Sequence, residues 1–223
     1  MISIDFTTTA MARPEIIDRT YSSFSKNLIG LNMKESRLFI NIDPLPVDID
    51  RNEVVKVAKK YFKEVHVNMP PIANFTKAVN WCWSNAKTDL IFHLEDDWEL
   101  TQKISVPKMI QHFKDLPNLM EVALRAYNYS YKSLPLSPCI IHKRYYKKVA
   151  GRLNETINPE IQLRGKKFKI KMPVLSGGVP RDGKLVMYSN DIVIKDIGRK
   201  WMNQSKYKKP TGKKGHFITW EKK

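Results

Sequence analysis

Along the first 141 residues, short apolar runs alternate with segments whose apolar residues recur at helical spacing. Met1-Ile2-Ser3-Ile4-Asp5-Phe6 reads as a strand that Thr7-Thr8-Thr9 ends. Pro14 suits the first turn of a helix running to about Leu28, with Ile16, Ile17, Tyr21, Phe24 and Leu28 on helical spacing. Arg37-Leu38-Phe39-Ile40-Asn41-Ile42 is the next strand, stopped by Asp43-Pro44. Asp50 then caps a helix in which Val54, Ala58, Tyr61 and Phe62 share a face. Val65-His66-Val67 is a third strand, Ala73 to Ala86 a third helix, and Leu90-Ile91-Phe92-His93-Leu94 a fourth strand.

Strands joined by helices predict an α/β fold: one mostly parallel sheet with helices on both faces. Ligands bind such sheets beyond the carboxyl ends of the strands. That directs attention to Thr7, Thr8 and Thr9, to Asp43, and to the acids after Leu94. Beyond Glu121-Val122-Ala123-Leu124-Arg125 the pattern loosens into aromatic loops. A basic helix near Lys143–Leu153 follows, then a short helix at Pro159-Glu160, further strands and a lysine-rich end. The chain has 223 residues, enough for one large domain with its own core. No apolar run approaches the length of a membrane span, and the first residues lack a signal-peptide plan. Cys82 and Cys139 make neither a disulfide framework nor a zinc cluster, so a soluble, cytoplasmic, reduced protein is expected. A Walker loop and a Rossmann glycine fingerprint are both missing, which speaks against ATPase and dehydrogenase chemistry.

Charge changes the picture. The formal net charge is +17, and it is concentrated. Residues 1–141 carry 17 basic and 16 acidic side chains, whereas residues 142–223 carry 22 basic and 6 acidic ones. Such a second part suits either a polyanion-binding surface or a solvated face that only confers solubility.

Glu95-Asp96-Asp97 directly follows an apolar strand. Three adjacent carboxylates repel one another, and a bound cation offsets that repulsion. Mg²⁺ typically takes only one or two carboxylates and completes its coordination with substrate phosphates. The alternative is a helix start whose acids complement the macrodipole.

The stretch from Asn74 through Asn80 and Leu90–Leu94 to Glu95-Asp96-Asp97 resembles the core signature of GT-A-fold, family-2-like nucleotide-sugar glycosyltransferases. Thr7-Thr8-Thr9 followed by Arg13-Pro14 resembles the first strand and nucleotide-facing loop of that family, and Asp43 stands where it places an acid near the nucleoside. The chain departs from the family in carrying Glu-Asp-Asp instead of Asp-x-Asp. The resemblance implies a GT-A-like, Rossmann-type single domain. Residues 1–141 would bind the donor, and residues 142–223 would form a basic acceptor-side subregion. It also implies a divalent metal, Mn²⁺ or Mg²⁺, on Asp97, with a nucleotide-diphosphate sugar (a UDP-sugar first) as donor. Thr7, Thr8, Thr9, Arg13, Asp43, Asn74, Lys77, Asn80, Glu95 and Asp96 would line the donor site. Lys77 is equally a solvated helix lysine.

Transfer to a hydroxyl needs a general base. By the same resemblance Glu160 is the first candidate, with Asp196 and Asp191 behind it. Glu160 also fits a helix first turn after Pro159, and Asp196 also fits a helix cap. Residues 195–223 hold ten Lys or Arg against two acids. Lys208, Lys209, Lys213 and Lys214 suit a loop along a phosphate backbone, Lys166–Lys171 reads as a strand with one basic face, and Lys143, Arg144 and Arg199 add to the same charge. The favoured acceptor is DNA with a hydroxyl-bearing base, as in phage DNA-modifying glycosyltransferases. An anionic surface polysaccharide or lipid-linked acceptor is the alternative, and a non-enzymatic nucleic-acid-binding protein a second one.

Overall fold

The computed structural model describes residues 3–45, 49–124, 136–164, 185–188, 191–204, 207–208 and 221–222. β-Branched and aromatic residues make β1 (Asp5–Met11) and β3 (Arg37–Asp43) strands buried at all but one end residue each, which pair in parallel, Phe6 opposite Leu38 through Met11 opposite Asp43. Between them lie α1 (Pro14–Asn27) and the two-residue strand β2 (Leu28–Ile29). α2 (Asn52–Tyr61) and β4 (Glu64–Asn68) follow, then α3 (Phe75–Asn85) and β5 (Leu90–His93). β6 (Trp98–Leu100), β7 (Ile104–Ser105), α4 (Val106–Asp115) and β8 (Glu121–Ala123) lead to β9 (Cys139–His142). The last elements are α5 (Lys143–Val149), α6 (Pro159–Arg164), β10 (Leu185–Met187), β11 (Ile194–Asp196), α7 (Gly198–Gln204), β12 (Tyr207–Lys208) and β13 (Glu221–Lys222).

Seven strands form the main sheet in the order β10-β8-β9-β5-β1-β3-β4. β9 runs antiparallel to both neighbours, and the remaining pairings are parallel. Ile17, Tyr21 and Phe24 of α1, Val54 and Ala58 of α2, and Val106 and Met109 of α4 pack with Phe6 and Phe92 on one face. Val79, Cys82 and Trp83 of α3, Tyr145, Tyr146 and Val149 of α5, and Leu163 of α6 cover the other face over Phe39, Ile91 and Ile141. Helices therefore lie on both faces, as the alternating pattern predicts.

Some boundaries move. Thr7, Thr8 and Thr9 lie inside β1 instead of ending it, because their β-branched side chains fill a buried strand. α2 starts after Arg51, with the Asp50 carboxylate accepting the Asn52 N–H. The basic helix stops at Val149, four residues before Leu153. The expected division at 141/142 falls within β9. The expected basic strand at 166–171 lies outside the described residues.

Candidate functional site

β1, β3 and β5 run in parallel, so their carboxyl ends reach one edge of the sheet together. The alignment continues past β5: the Leu94 N–H donates to the Thr7 carbonyl (2.9 Å) and the Asp96 N–H to the Thr9 carbonyl (3.2 Å). The acidic triplet is thus laid beside the end of β1 and the loop to Arg13.

Asp96 faces inward, 4% exposed. Its carboxylate accepts the Met11 N–H (3.0 Å) and a two-pronged contact from Arg13, Nε at 3.1 Å and Nη2 at 2.6 Å. Arg13 is itself buried, and its Nη2 also reaches Asp97 Oδ2 at 3.2 Å. Burial alone would lower the guanidinium pKa, but Asp96 and Asp97 outweigh it and the net shift is upward. The Trp201 ring lies 5.2 Å from the guanidinium and donates its Nε1–H to Glu15 (2.9 Å).

Asp97 is the accessible member of the pair, its side chain 27% exposed. Burial first, then Asp96 and Asp196, push its carboxyl up to about 6 against the pull of Arg13. Glu95 accepts the Trp98 Nε1–H at 2.9 Å. Loss of water, then Asp97 and Glu160, raise its carboxyl well above the ordinary range. Glu160 and Asp196, from distant parts of the sequence, therefore share the electrostatic field of the triplet.

Asp43, at the end of β3, accepts the Asn41 Nδ2–H (2.8 Å) and the Asn74 N–H (3.1 Å). Burial still pushes it up to about 6. Asn74 also caps α3 through the Lys77 N–H (3.0 Å) and donates to the Glu155 carbonyl (3.1 Å). It acts by holding Asp43 and the α5–α6 loop in place.

The other expected residues have partners of their own. Thr7 bonds His93 Nδ1 (2.9 Å) and Thr8 accepts the Tyr21 hydroxyl (3.0 Å), both inside the sheet. His93 is a core imidazole, pushed down to about 3 by burial. Asn80 spends its amide on Leu153 and Gly151, and Lys77 pairs with Glu155 at 3.2 Å. Asp196 anchors Arg199 at 2.8 Å. Asp191 precedes β11 by three residues, and β11 pairs back along β6 from Trp98 to Leu100.

Lys143 and Arg144, expected on the acceptor side, are set apart from the triplet. β9 runs antiparallel to β5 with His142 opposite Leu90, so both residues lie at the amino end of β5, away from the triplet. Lys143 pairs there with Asp89 at 2.7 Å. Lys209, Lys213 and Lys214 lie outside the described residues, as does the side chain of Lys208. Sequence reading missed Asn41, which faces Asp43 two residues on, and also Gly198 and Trp201, because nothing local marks a glycine or tryptophan that meets residues a hundred or more positions away.

Among the described residues no group of three or more His, Cys, Asp or Glu side chains is arranged to hold a metal. The donor set fits a different kind of site. Asp97 offers an accessible oxygen among Asp96, Asp196 and Glu95, and phosphates would complete the coordination.

No family model and no curated protein matches the sequence. Solved structures do resemble it. S. aureus TarS 1–349 aligns with a TM-score of 0.60 over 90% of this chain and 63% of that one, at 10% identity. TarS 1–349 in complex with UDP-GlcNAc gives 0.59, covering 86% and 58% at 11% identity. A mannosyltransferase from Pyrobaculum calidifontis, in complex with GDP-Man and Mn²⁺, gives 0.61, covering 88% and 58% at 8% identity. This chain thus spans less than two thirds of each of those structures. The likeness shows a GT-A-like α/β fold, as the sequence resemblance implies.

Proposed function

We propose that this chain is a glycosyltransferase that moves a sugar from a nucleotide-diphosphate sugar, a UDP-sugar first, to a hydroxyl acceptor. One observation carries the reading: Asp43 at the end of β3 and the acids that follow β5 are brought to the ligand-binding edge of the sheet, where the buried Arg13 clamps Asp96 and reaches Asp97. Structures sharing the fold are in complex with UDP-GlcNAc, or with GDP-Man and Mn²⁺, which supports the donor class.

Asp43 would meet the nucleoside, and Asp97 would hold a divalent cation, Mn²⁺ or Mg²⁺. When bound, that cation supplies Lewis-acid stabilisation of the leaving diphosphate. Arg13 braces both acids, with a two-pronged contact to Asp96 and one N–H to Asp97. Glu160 is the favoured base for the acceptor hydroxyl, because both Asp196 oxygens are engaged by Arg199, through its N–H at 3.1 Å and its Nε at 2.8 Å. The acceptor reading is DNA with a hydroxyl-bearing base, supported by the ten Lys or Arg against two acids of 195–223. An anionic polysaccharide or lipid-linked acceptor draws on the same charge.

The test is transfer of radiolabelled sugar from UDP-sugars with Mn²⁺ to hydroxymethylated duplex DNA and, separately, to a lipid extract. Asp97→Ala should abolish transfer with the circular dichroism spectrum unchanged, and Glu160→Gln should do so with UDP binding retained. Full activity in EDTA refutes the metal, and label in the lipid fraction alone refutes DNA.

A further inference from the structure

Gly198 opens α7 and is buried against the side chain of Asp97. A Cβ built on it would lie 2.8 Å from both Cβ and Cγ of Asp97, and nearer still to Oδ2. Real Cβ atoms essentially never come that close to other heavy atoms. The obstruction involves the root of the Asp97 side chain, so swinging its carboxylate aside would not relieve it.

The backbone on either side of this contact is tied down. The Ile197 N–H donates to the Asp97 carbonyl at 2.9 Å, and β11 pairs with β6 with Asp196 opposite Trp98, the neighbour of Asp97. The Asp97 oxygen nearest Gly198, Oδ2, also meets Arg13 Nη2 at 3.2 Å. Asp97 is thus in contact with both a bare Cα and a buried guanidinium.

We infer that Gly198 is a positioning residue: its missing side chain is the seat that fixes the Asp97 carboxylate in the orientation in which it meets a cation-bound diphosphate. The inference rests on the proposed function for what Asp97 binds, but not for the contact itself. It makes the segment 194–204 part of the donor site, although the charge pattern assigns that stretch to the acceptor side. Gly198→Ala pushes Asp97 out of line while leaving every charged group of the site in the chain.

Two measurements on the full chain test this. In a thermal-unfolding double-mutant cycle, Gly198→Ala should lower the midpoint in the wild-type background and have little effect in Asp97→Gly, where the obstructing atoms are gone. Equal effects in both backgrounds, or none in the wild type, overturn the seat. If Gly198→Ala alone does not fold, folding of the Gly198→Ala/Asp97→Gly pair supports the seat, and failure of both overturns it. Separately, the electron paramagnetic resonance signal of free Mn²⁺ is titrated with protein in the presence of UDP. Folded Gly198→Ala should bind Mn²⁺ about tenfold or more weakly than wild type. Unchanged affinity overturns the positioning role. Wild-type protein that takes up no Mn²⁺ refutes the metal reading instead, and the cycle still decides the contact.

Discussion

Arg13 and Asp96, exposed by 3% and 4%, are the deepest charges at the site, and each is tolerable only because of the other. Removing one partner of such a pair leaves an uncompensated buried charge, at a cost of about 3–5 kcal/mol. Arg13→Ala should therefore lower the unfolding free energy by roughly that amount in urea titrations. Arg13→Lys should recover only part of it, since an ammonium lacks the planar fork that meets both Asp96 oxygens. Asp43 gives a pH signature. Its pKa of about 6 in the fold lies above the ordinary carboxylate value, so the folded chain holds a proton that the unfolded chain releases. That contribution to stability is complete below about pH 4 and is lost as pH rises through about 6. The unfolding free energy of wild type minus that of Asp43→Ala should be larger at about pH 5 than at about pH 7.5, by on the order of 1 kcal/mol. A difference that grows with pH would mean that Asp43 is paired with a cation in the fold.

Among the elements, those with long local patterns were legible: α1, β3, α3 and β5 lie within two residues of where periodicity puts them. β1 was misplaced because a threonine triplet reads equally as a polar strand end and as β-branched filling. β6 and β11 left no trace in the pattern, since three-residue strands pairing Trp98 with Asp196 depend on contacts that no window samples. For the same reason the triplet was readable and its setting was not. Adjacent acids after an apolar strand are a local signal, whereas the Arg13 clamp and the Gly198 seat appear only on folding. Asn74 belongs between the two, as its capping position is visible and its grip on Asp43 is not. Asn74→Ala removes the cap and the link to Glu155 but keeps its backbone N–H on Asp43. It should cost about 1 kcal/mol in thermal or urea unfolding and shift the pH dependence assigned to Asp43 little.

At the scale of the whole molecule, part of the basic excess lies at the amino end of β5. Lys143 is paired with Asp89, and Lys147 donates to the Ser84 and Ala86 carbonyls at the end of α3, so this end of the molecule uses lysines to close the fold. If DNA is the acceptor, it must pass the acid-bearing edge, and the candidate contacts are the basic stretches 166–171 and 195–223, the latter with ten Lys or Arg against two acids. Charge reversal separates the two sets. Lys143→Glu with Arg144→Glu, at the amino end of β5, should leave the affinity for duplex DNA within about twofold. Lys208→Glu, Lys209→Glu, Lys213→Glu and Lys214→Glu together should remove about four phosphate contacts and flatten the slope of log affinity against log salt by about 3.6. Wild-type binding by six or more contacts should weaken about a thousandfold between about 50 and 200 mM salt. The measurement is fluorescence anisotropy of labelled duplex across that range. A salt slope carried by Lys143 and Arg144 would put the nucleic acid on the far end of the sheet, out of reach of Asp97, and would separate binding from transfer.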